Sequence, residues 1–148
     1  MPTPPELTAY PLRQTLSLRH GDIDANHHLN NVVQARLFEE GAATLQRRAL
    51  PDWPARATAT GAAVTIAERT VRFLSIGSYP EPVELGTGVA RIGQRSFVLE
   101  QLLTQQGRAL ARCTTAFVYL QEGKATALPD DWRAALAAWP VAAAAGGA

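Results

Sequence analysis

The spacing of apolar residues predicts where the chain forms strands and helices. Apolar and polar residues alternate from Thr15 to Arg19, which predicts a first strand with Leu16 and Leu18 facing a core. From about Val32 to Leu50, apolar residues recur at spacings of three and four, which predicts a long helix. Its apolar stripe comprises Ala35, Phe38, Ala42, Leu45 and Ala49. Residues 51–54 contain two prolines and are predicted to form a turn that ends the helix.

Residues 62–120 show the two-residue alternation of strands. The phase of that alternation changes near Glu68 and Arg69, which predicts a bulge or bend in a long strand. Further strands are expected after Pro82, over residues 96–104 and over residues 108–120, with a hairpin turn at residues 105–107. A short capped helix is expected from about Leu128 to Trp139.

This element order predicts an α+β domain in which a curved antiparallel sheet wraps around one long central helix. The domain is expected to span residues 15–139, after an extended lead-in at residues 1–14 and before a disordered Ala/Gly tail at residues 140–148. Such a sheet leaves edges uncovered, so we expect two copies to pair side by side.

Composition narrows the class of protein. The chain has 148 residues, 47% of them hydrophobic and 18% charged, as in a soluble single domain. A formal net charge of +1 gives no reason to expect nucleic acid. Cys113 is the single cysteine, which favours a reducing compartment. The sequence shows neither a signal-peptide pattern nor an apolar run of about 20 residues, so we expect a cytoplasmic protein with no membrane partner.

A loop rich in reactive groups, Gly21 to Asn31, lies between the first strand and the long helix. It holds two carboxylates, two imidazoles and three carboxamides. The first N–H groups of a helix have no intrahelical partner, and the helix dipole adds partial positive charge there. A carbonyl oxygen held against them is polarised, and a nearby carboxylate can attack its carbon or activate water. The loop therefore indicates hydrolysis of an ester or thioester.

Two motifs in this sequence resemble those of a known family. The segment Asp22-Ile-Asp24-Ala-Asn-His-His28-Leu-Asn30-Asn31, with Phe38-Glu39 downstream, resembles the signature of hotdog-fold acyl-CoA thioesterases of the 4-hydroxybenzoyl-CoA thioesterase-like family. That signature runs Asp-x-Asp-x-x-Gly-His-Val-Asn-Asn, then Tyr and Phe-Glu on the helix. The segment from Arg91 to Phe97 resembles the family's Arg-Ile-Gly-x-x-Ser strand. The element order agrees from about Thr15 to Trp132.

The resemblance implies a hotdog fold and hydrolysis of an acyl-CoA to a free acid and coenzyme A, without a metal or another cofactor. By position, Asp24 would be the nucleophile or general base, and the backbone N–H near Asn31 would polarise the thioester carbonyl. Arg95, with Arg91, would bind phosphates of coenzyme A, and Ser96 would contact the pantetheine arm. The family forms dimers or tetramers with each active site at a dimer interface.

The sequence departs from the family pattern at two positions. His27 replaces the usual glycine before the histidine, which alters both loop conformation and bulk. Gln34 replaces the frequent tyrosine on the helix. Both residues are expected to line the acyl pocket, so the family's preferred acyl groups do not transfer to this chain.

Each candidate also has a structural interpretation. Asp24 can form an Asx turn or cap a helix without any chemistry, and Asp22 is expected to bond loop amides. His28 is a candidate proton donor, although a hydrogen bond that fixes the loop is favoured. Glu39 is the reserve catalytic carboxylate, and a solvated or salt-bridged role is preferred for it.

The remaining candidates have similar alternatives. Lone arginines on strands, such as Arg91 and Arg95, are more often solvated than bound to phosphate. Cys113 is expected in the core rather than as a nucleophile. The adjacent histidines diverge in direction, so a metal site is not expected.

Two other activities fit a hotdog fold. A hydratase or dehydratase would act on the acyl chain, but the sequence lacks the His-Phe-plus-proline pattern of such dehydratases. A non-catalytic acyl-CoA or acyl-carrier-protein binding module would bind thioesters without turnover. Release of free thiol separates a thioesterase from both.

Overall fold

The computed structural model describes residues 6–143, which form three α-helices and six strands. The helices are α1 (Asn31–Ala49), α2 (Trp53–Thr60) and α3 (Asp130–Ala137). The strands are β1 (Leu12–Leu16), β2 (Ala62–Phe73), β3 (Val83–Ile92), β4 (Ser96–Gln105), β5 (Arg108–Gln121) and β6 (Lys124–Ala125).

The strands form one antiparallel sheet in the order β1-β3-β4-β5-β2, with the short β6 paired to β5. The sheet is curved, and α1 packs centrally against its inner face. This is the predicted α+β hotdog arrangement. β1 and β2 are the edge strands, and β2 is 12 residues long.

Helix α1 begins and ends within one residue of its predicted bounds. The side chain of Asn30 caps its first turn by accepting a hydrogen bond from the Val32 N–H at 2.7 Å. The predicted apolar stripe is buried at Phe38, Ala42 and Leu45, each at most 1% exposed. Ala35, the first residue of the stripe, is only half-buried, but the buried part of the stripe fixes α1 relative to the strands.

Two core clusters relate each end of α1 to one end of the sheet. Phe38, from the first half of the helix, clusters with Leu103 and Cys113, so Cys113 is a core residue as predicted. Leu45, from the second half, clusters with Phe97. The start of α1 therefore lies at the sheet end that holds Leu103, away from the end that holds Phe97.

The strand register confirms some predicted features and shifts others. The pairing of β2 with β5 slips between Ile66 and Glu68, which is the predicted bulge. The first strand was predicted over residues 15–19 but occupies Leu12–Leu16, so the extended lead-in is shorter than expected. Leu7–Ala9 forms a 3-10 turn within that lead-in.

Residues 51–60 differ from the sequence prediction, which placed only a turn at residues 51–54. Trp53–Thr60 forms α2, with Pro54 in its first turn and Gly61 in the left-handed conformation at its end. A proline in the first helical turn has no N–H to leave unpaired and has a backbone angle suited to the helix. The two prolines therefore mark a helix start here as well as the end of α1.

The predicted disordered tail is partly bonded to the sheet. Pro140 bridges to Val89, and the Val141 and Ala142 N–H groups donate to Val89 and Ala9 carbonyls at 3.0 and 2.8 Å. The order expected to end at residue 139 thus continues to Ala142, while residues 144–148 lie outside the described part. Within residues 6–143, no helix is long and apolar enough to cross a bilayer.

Candidate active site

The loop between β1 and α1 is folded by its own backbone hydrogen bonds. Ile23 and Leu29 form an antiparallel bridge, and the Asp24 N–H donates to the His28 carbonyl at 2.9 Å. The His27 N–H donates to the Asp24 carbonyl at 3.0 Å. A further bond from the Leu29 N–H to the Gly77 carbonyl ties this loop to the segment after β2. The loop is therefore a compact turn with a fixed base.

The carboxylate of Asp24 is held by one of its two oxygens. Its Oδ1 accepts hydrogen bonds from the Asn26 N–H at 2.9 Å and the His28 N–H at 3.1 Å. This is the Asx-type turn named above as the structural alternative. The Oδ2 atom has no hydrogen-bond partner among the described residues, and the side chain is half-buried. The turn thus orients the carboxylate and leaves one oxygen open.

The first turn of α1 offers free N–H groups close by in sequence. The Val32 N–H is used by the Asn30 cap, and the Gln34 N–H makes the first helical bond, to the Asn30 carbonyl. Among residues 6–143, the Asn31 and Val33 N–H groups have no partner. Asn31 is exposed, so its N–H is available to a ligand at the positive end of the helix dipole.

Asp22 connects the loop to α1. Its Oδ2 accepts the Arg19 N–H at 2.8 Å, and its Oδ1 lies 3.2 Å from Nη2 of Arg36. Its carbonyl also accepts the Asn30 N–H at 2.9 Å. The side chain is almost fully buried, so both ends of the loop are held against the helix start. These contacts match the structural role expected for Asp22.

The two histidines occupy different positions in the turn. His28 contributes its backbone N–H to Asp24, and its ring has no hydrogen bond within the described residues. His27 is exposed and has a φ of 63°, in the left-handed region that glycine adopts readily. The change from the family's glycine to His27 therefore coexists with a glycine-like backbone.

Gln34 lies beneath the loop. It is 4% exposed, and its Nε2 donates to the Leu29 carbonyl at 3.3 Å. Its Oε1 is buried without a hydrogen-bond partner among residues 6–143. The side chain supports the loop from inside the chain, and its contact with an acyl group stays a prediction.

Glu39, the reserve catalytic carboxylate, is salt-bridged. Its Oε2 lies 2.9 Å from Nη2 of Arg69, an inward-facing residue of β2. The Nε of Arg69 donates to the Thr115 hydroxyl at 3.0 Å. The preferred structural interpretation of Glu39 agrees with this ion pair.

The residues predicted to bind coenzyme A phosphates and pantetheine lie far from Asp24 within one chain. The Asp24 loop follows β1, whose Leu16 pairs with Val83 at the start of β3. Arg91 lies at the end of β3, and Arg95 and Ser96 follow in the hairpin to β4. At 3.3 Å per residue, the two ends of β3 are roughly 30 Å apart. A single chain therefore does not bring these residues to Asp24.

Exposed apolar side chains near the loop were not predicted as part of a site. The segment after β2 is bonded to the loop through Gly77, and it presents Leu74, Ile76 and Tyr79, which are 37–54% exposed. The Tyr79 ring meets the His20 ring edge to face at 5.7 Å. Phe73, at the end of β2, is 53% exposed. The sequence signal that could have predicted this exposed apolar surface is the apolar run of residues 73, 74 and 76, which continues past the end of β2.

The described residues show no metal-binding cluster. Within residues 6–143, no three His, Cys, Asp or Glu side chains are placed to hold a metal ion together. The cavities of about 380, 370 and 260 Å³ that these residues form are not lined by Asp24. Asp24 is half-buried, and Asn31 at the helix start is exposed.

Comparison with known proteins relates the chain to thioesterases. Residues 18–136 match the family described as the Thioesterase-like superfamily. No curated protein matches the sequence.

Solved structures with the same fold include three informative ones. The PA5185 protein of Pseudomonas aeruginosa is 24% identical, with a TM-score of 0.78 over 94% of this chain and 98% of that one. A Thermus thermophilus thioesterase complexed with coenzyme A and Zn is 25% identical, with a TM-score of 0.77 over 88% and 94%. The 1,4-dihydroxy-2-naphthoyl-CoA thioesterase of Synechocystis is 14% identical, with a TM-score of 0.75 over 84% and 94%.

Proposed function

The chain belongs to the Thioesterase-like superfamily, and from this premise we propose that it hydrolyses an acyl-CoA thioester to a free acid and coenzyme A. The match covers residues 18–136, which include the loop, α1 and most of the sheet. The similar Thermus thioesterase with bound coenzyme A supports the same class of substrate. The acyl group is left open by this proposal.

The observation that carries the proposed mechanism is the pair of open groups at the start of α1. Oδ2 of Asp24 and the N–H of Asn31 are both without partners among the described residues, and one short, bonded loop holds both. In the proposed reaction, the Asn31 N–H donates to the thioester carbonyl oxygen and stabilises the negative charge that forms there. His28 remains a candidate proton donor to the leaving thiolate.

Asp24 has two possible roles in this scheme. As a general base, it takes a proton from water, the resulting hydroxide attacks the carbonyl carbon, the C–S bond breaks, and the thiolate leaves and is protonated. As a nucleophile, it attacks the carbon, expels the thiolate and forms an anhydride that water then hydrolyses. Both routes consume one water and need no cofactor.

We propose that the working assembly is at least a dimer, paired through β2. Along this edge strand Ile66 and Phe73 are 40% and 53% exposed, and its outer edge has no paired strand among residues 6–143. Antiparallel pairing about a twofold axis reverses the partner, so its Ala62 end would lie beside this chain's Phe73 end. The partner's β3–β4 hairpin, which carries Arg95, would then approach the Asp24 end. A tetramer would require a second interface.

A cytoplasmic location is proposed from one observation. Cys113 is buried and unpaired, which is compatible with the reducing environment of the cytoplasm.

Replacement of Asp24 by Asn tests the proposal directly. The carboxamide oxygen of Asp24→Asn can still accept the Asn26 and His28 N–H groups, so the turn should persist while the base or nucleophile is lost. Release of thiol from short, long and aromatic acyl-CoAs is measured for wild type and variant. We expect kcat to fall by about a hundredfold or more. Asp130→Asn, on the exposed start of α3, is the matched control.

Two results would contradict this proposal. Near wild-type turnover by the Asp24→Asn variant would remove Asp24 from the reaction. Tight acyl-CoA binding by the wild type without thiol release for any acyl group would instead identify a non-catalytic binding module.

A further inference from the structure

We infer that the outer face of the sheet holds a phosphate-binding site built from Arg72, Arg112, Thr70 and Thr114. These four residues line a cavity of about 260 Å³ between β2 and β5. The inference rests on the proposed function, because the phosphates we assign to this site are those of the coenzyme A nucleotide. We call these four residues the Arg72 site.

The strand register places two like charges side by side. Arg72 pairs directly with Arg112, and Thr70 pairs with Thr114, across β2 and β5. Their neighbours Val71 and Cys113 face inward to the core, so all four side chains project from the outer face. Two cations directly opposite each other in a sheet repel, and an anion between them relieves that repulsion.

The charge balance leaves this site positive. Nη2 of Arg112 lies 2.7 Å from Oε1 of Glu100, and the Tyr10 hydroxyl donates to the same oxygen at 2.9 Å. Arg72 is exposed and has no carboxylate within ion-pair distance among residues 6–143. Glu100 therefore neutralises one of the two guanidinium groups. A guanidinium fork with neighbouring hydroxyls is a donor set that suits phosphate oxygens.

The position of the Arg72 site suits the far end of a thioester substrate. Arg72 lies between Val71 and Phe73, and Val71 packs against the same core cluster as Val33 from the first turn of α1. The site is thus at the sheet end where α1 begins, on the opposite face of the sheet. Coenzyme A carries its phosphates at the far end of the pantetheine arm, so the phosphates must bind away from the carbonyl.

A second cavity continues from the first along the outer face. It has a volume of about 370 Å³, shares Thr70 and Thr114 with the Arg72 site, and is also lined by Val98 and Ala116. Glu68 and Arg91 both border this second cavity, so their charges offset each other there, whereas the guanidinium of Arg72 has no carboxylate partner among residues 6–143. The phosphates are therefore assigned to the Arg72 site, and the less charged part of the nucleotide to the second cavity. Pairing through the β2 edge would use the strand's backbone and leave this face open.

The test compares Arg72→Ala with Arg48→Ala, an exposed arginine near the other end of α1. Calorimetry measures binding of 3′-phosphoadenosine 5′-diphosphate, and kinetics compares an acyl-CoA with the same acyl group on N-acetylcysteamine, which has no phosphate. For Arg72→Ala we expect about tenfold weaker nucleotide binding and about tenfold higher KM for the acyl-CoA. Turnover of the truncated thioester should not change, and Arg72→Lys should recover part of the binding.

The outcomes separate this inference from the proposed function. If no thioester is hydrolysed but nucleotide binding is lost in Arg72→Ala, the phosphate site stands and the hydrolase proposal fails. If thioesters are hydrolysed but Arg72→Ala behaves like Arg48→Ala in both assays, the inference is overturned. Equal losses on acyl-CoA and on the truncated thioester would also overturn it, because phosphate would then have no part in the effect.

Discussion

Asp24 shows how one side chain can be structural and still be open to a substrate. Its Oδ1 accepts hydrogen bonds from two N–H groups of its own turn, which fixes the plane of the carboxylate. Its Oδ2 has no hydrogen-bond partner in the described part of the chain. The sequence placed an aspartate before a helix start but offered two interpretations, catalysis or an Asx turn. The structure contains the Asx turn, and the open oxygen keeps the catalytic hypothesis available.

The backbone conformation of His27 gives a second prediction for a single residue. Its φ of 63° is tolerated by histidine but strains a β-branched residue. We expect His27→Val to lower the free energy of unfolding by about 1–3 kcal/mol, and His27→Gly to leave it within about 1 kcal/mol of wild type. Urea denaturation measures both. A valine variant as stable as wild type would mean that residue 27 does not adopt this conformation in solution.

Single residues also mark where sequence patterns stop being informative. Alternation and helical spacing place Arg95 on a strand and Gln34 on the helix, but they carry no distances between elements. The structure buries Gln34 under the loop and leaves Arg95 at the far sheet end. The left-handed backbone of His27 was equally hidden, because the residue type that usually signals such a backbone is glycine, and this position holds histidine.

At the scale of the elements, α1 lies very close to the sheet at Gly41. A Cβ there would lie 2.5 Å from Cδ2 of Leu85, and close to the side chains of Gln101 and Thr87. The Gln101 Nε2, which is fully buried, donates to the Phe38 carbonyl at 2.9 Å and so links helix to strand. The helix position, and with it the position of the N–H groups at its start, depends on this contact.

Gly41→Ala tests that contact. Alanine favours a helix by about 1 kcal/mol over glycine, but overpacking against the sheet costs about 1–3 kcal/mol or more. We expect a net loss of about 1–2 kcal/mol in the free energy of unfolding. Gly21→Ala, where a Cβ would have no atom within 4 Å, should change it by less than about 0.5 kcal/mol. A Gly41→Ala variant more stable than wild type would contradict the close approach.

Long elements were predictable, and short ones next to prolines were not. α1 and the long strands repeat their apolar spacing several times, so the pattern outweighs local exceptions. α2 has eight residues, and its Pro54 belongs to the segment 51–54 that the sequence predicts to be a turn. Its helical character depends on Trp53 packing against the core beside Trp132, which no local spacing reveals.

The segment before β1 crosses the outer face and carries a pH-dependent contact. Burial and the negative charge of Glu100 raise the pKa of Tyr10 above its ordinary value of 10.0. The folded chain therefore holds this proton more tightly than the unfolded chain, and stability falls as pH rises above about 10. We expect wild type to lose more stability than Tyr10→Phe between about pH 9 and 11, by urea denaturation. Equal pH slopes would contradict the shift.

For the whole molecule, the main uncovered feature is the edge of β2, which has no paired strand beyond it among residues 6–143. This edge strand has 12 residues. Its bulge and several charged residues are the features that protect it from pairing with other strands. Sequence reasoning foresaw an uncovered edge because one helix cannot cover a whole sheet. It could not name the strand, since the order β1-β3-β4-β5-β2 arises from pairing between distant segments.

Assembly through β2 predicts a specific loss on mutation. Ile66→Asp places a charge on an exposed apolar position of the edge, so the variant should remain folded but dissociate at concentrations where wild type is dimeric. Sedimentation equilibrium measures this, with Thr58→Asp on the exposed face of α2 as the control. A monomeric wild type, or an Ile66→Asp dimer of unchanged affinity, would contradict pairing through β2.

The central claim is that Asp24 and the first free N–H groups of α1 act on the same carbonyl. A crystal structure of the Asp24→Asn variant with an intact acyl-CoA measures this most directly. We predict the thioester oxygen at about 3 Å from the Asn31 nitrogen, and the side chain of residue 24 facing the thioester carbon at about 3–3.5 Å. A thioester bound elsewhere, with residue 24 bonded only within its own turn, would contradict the account.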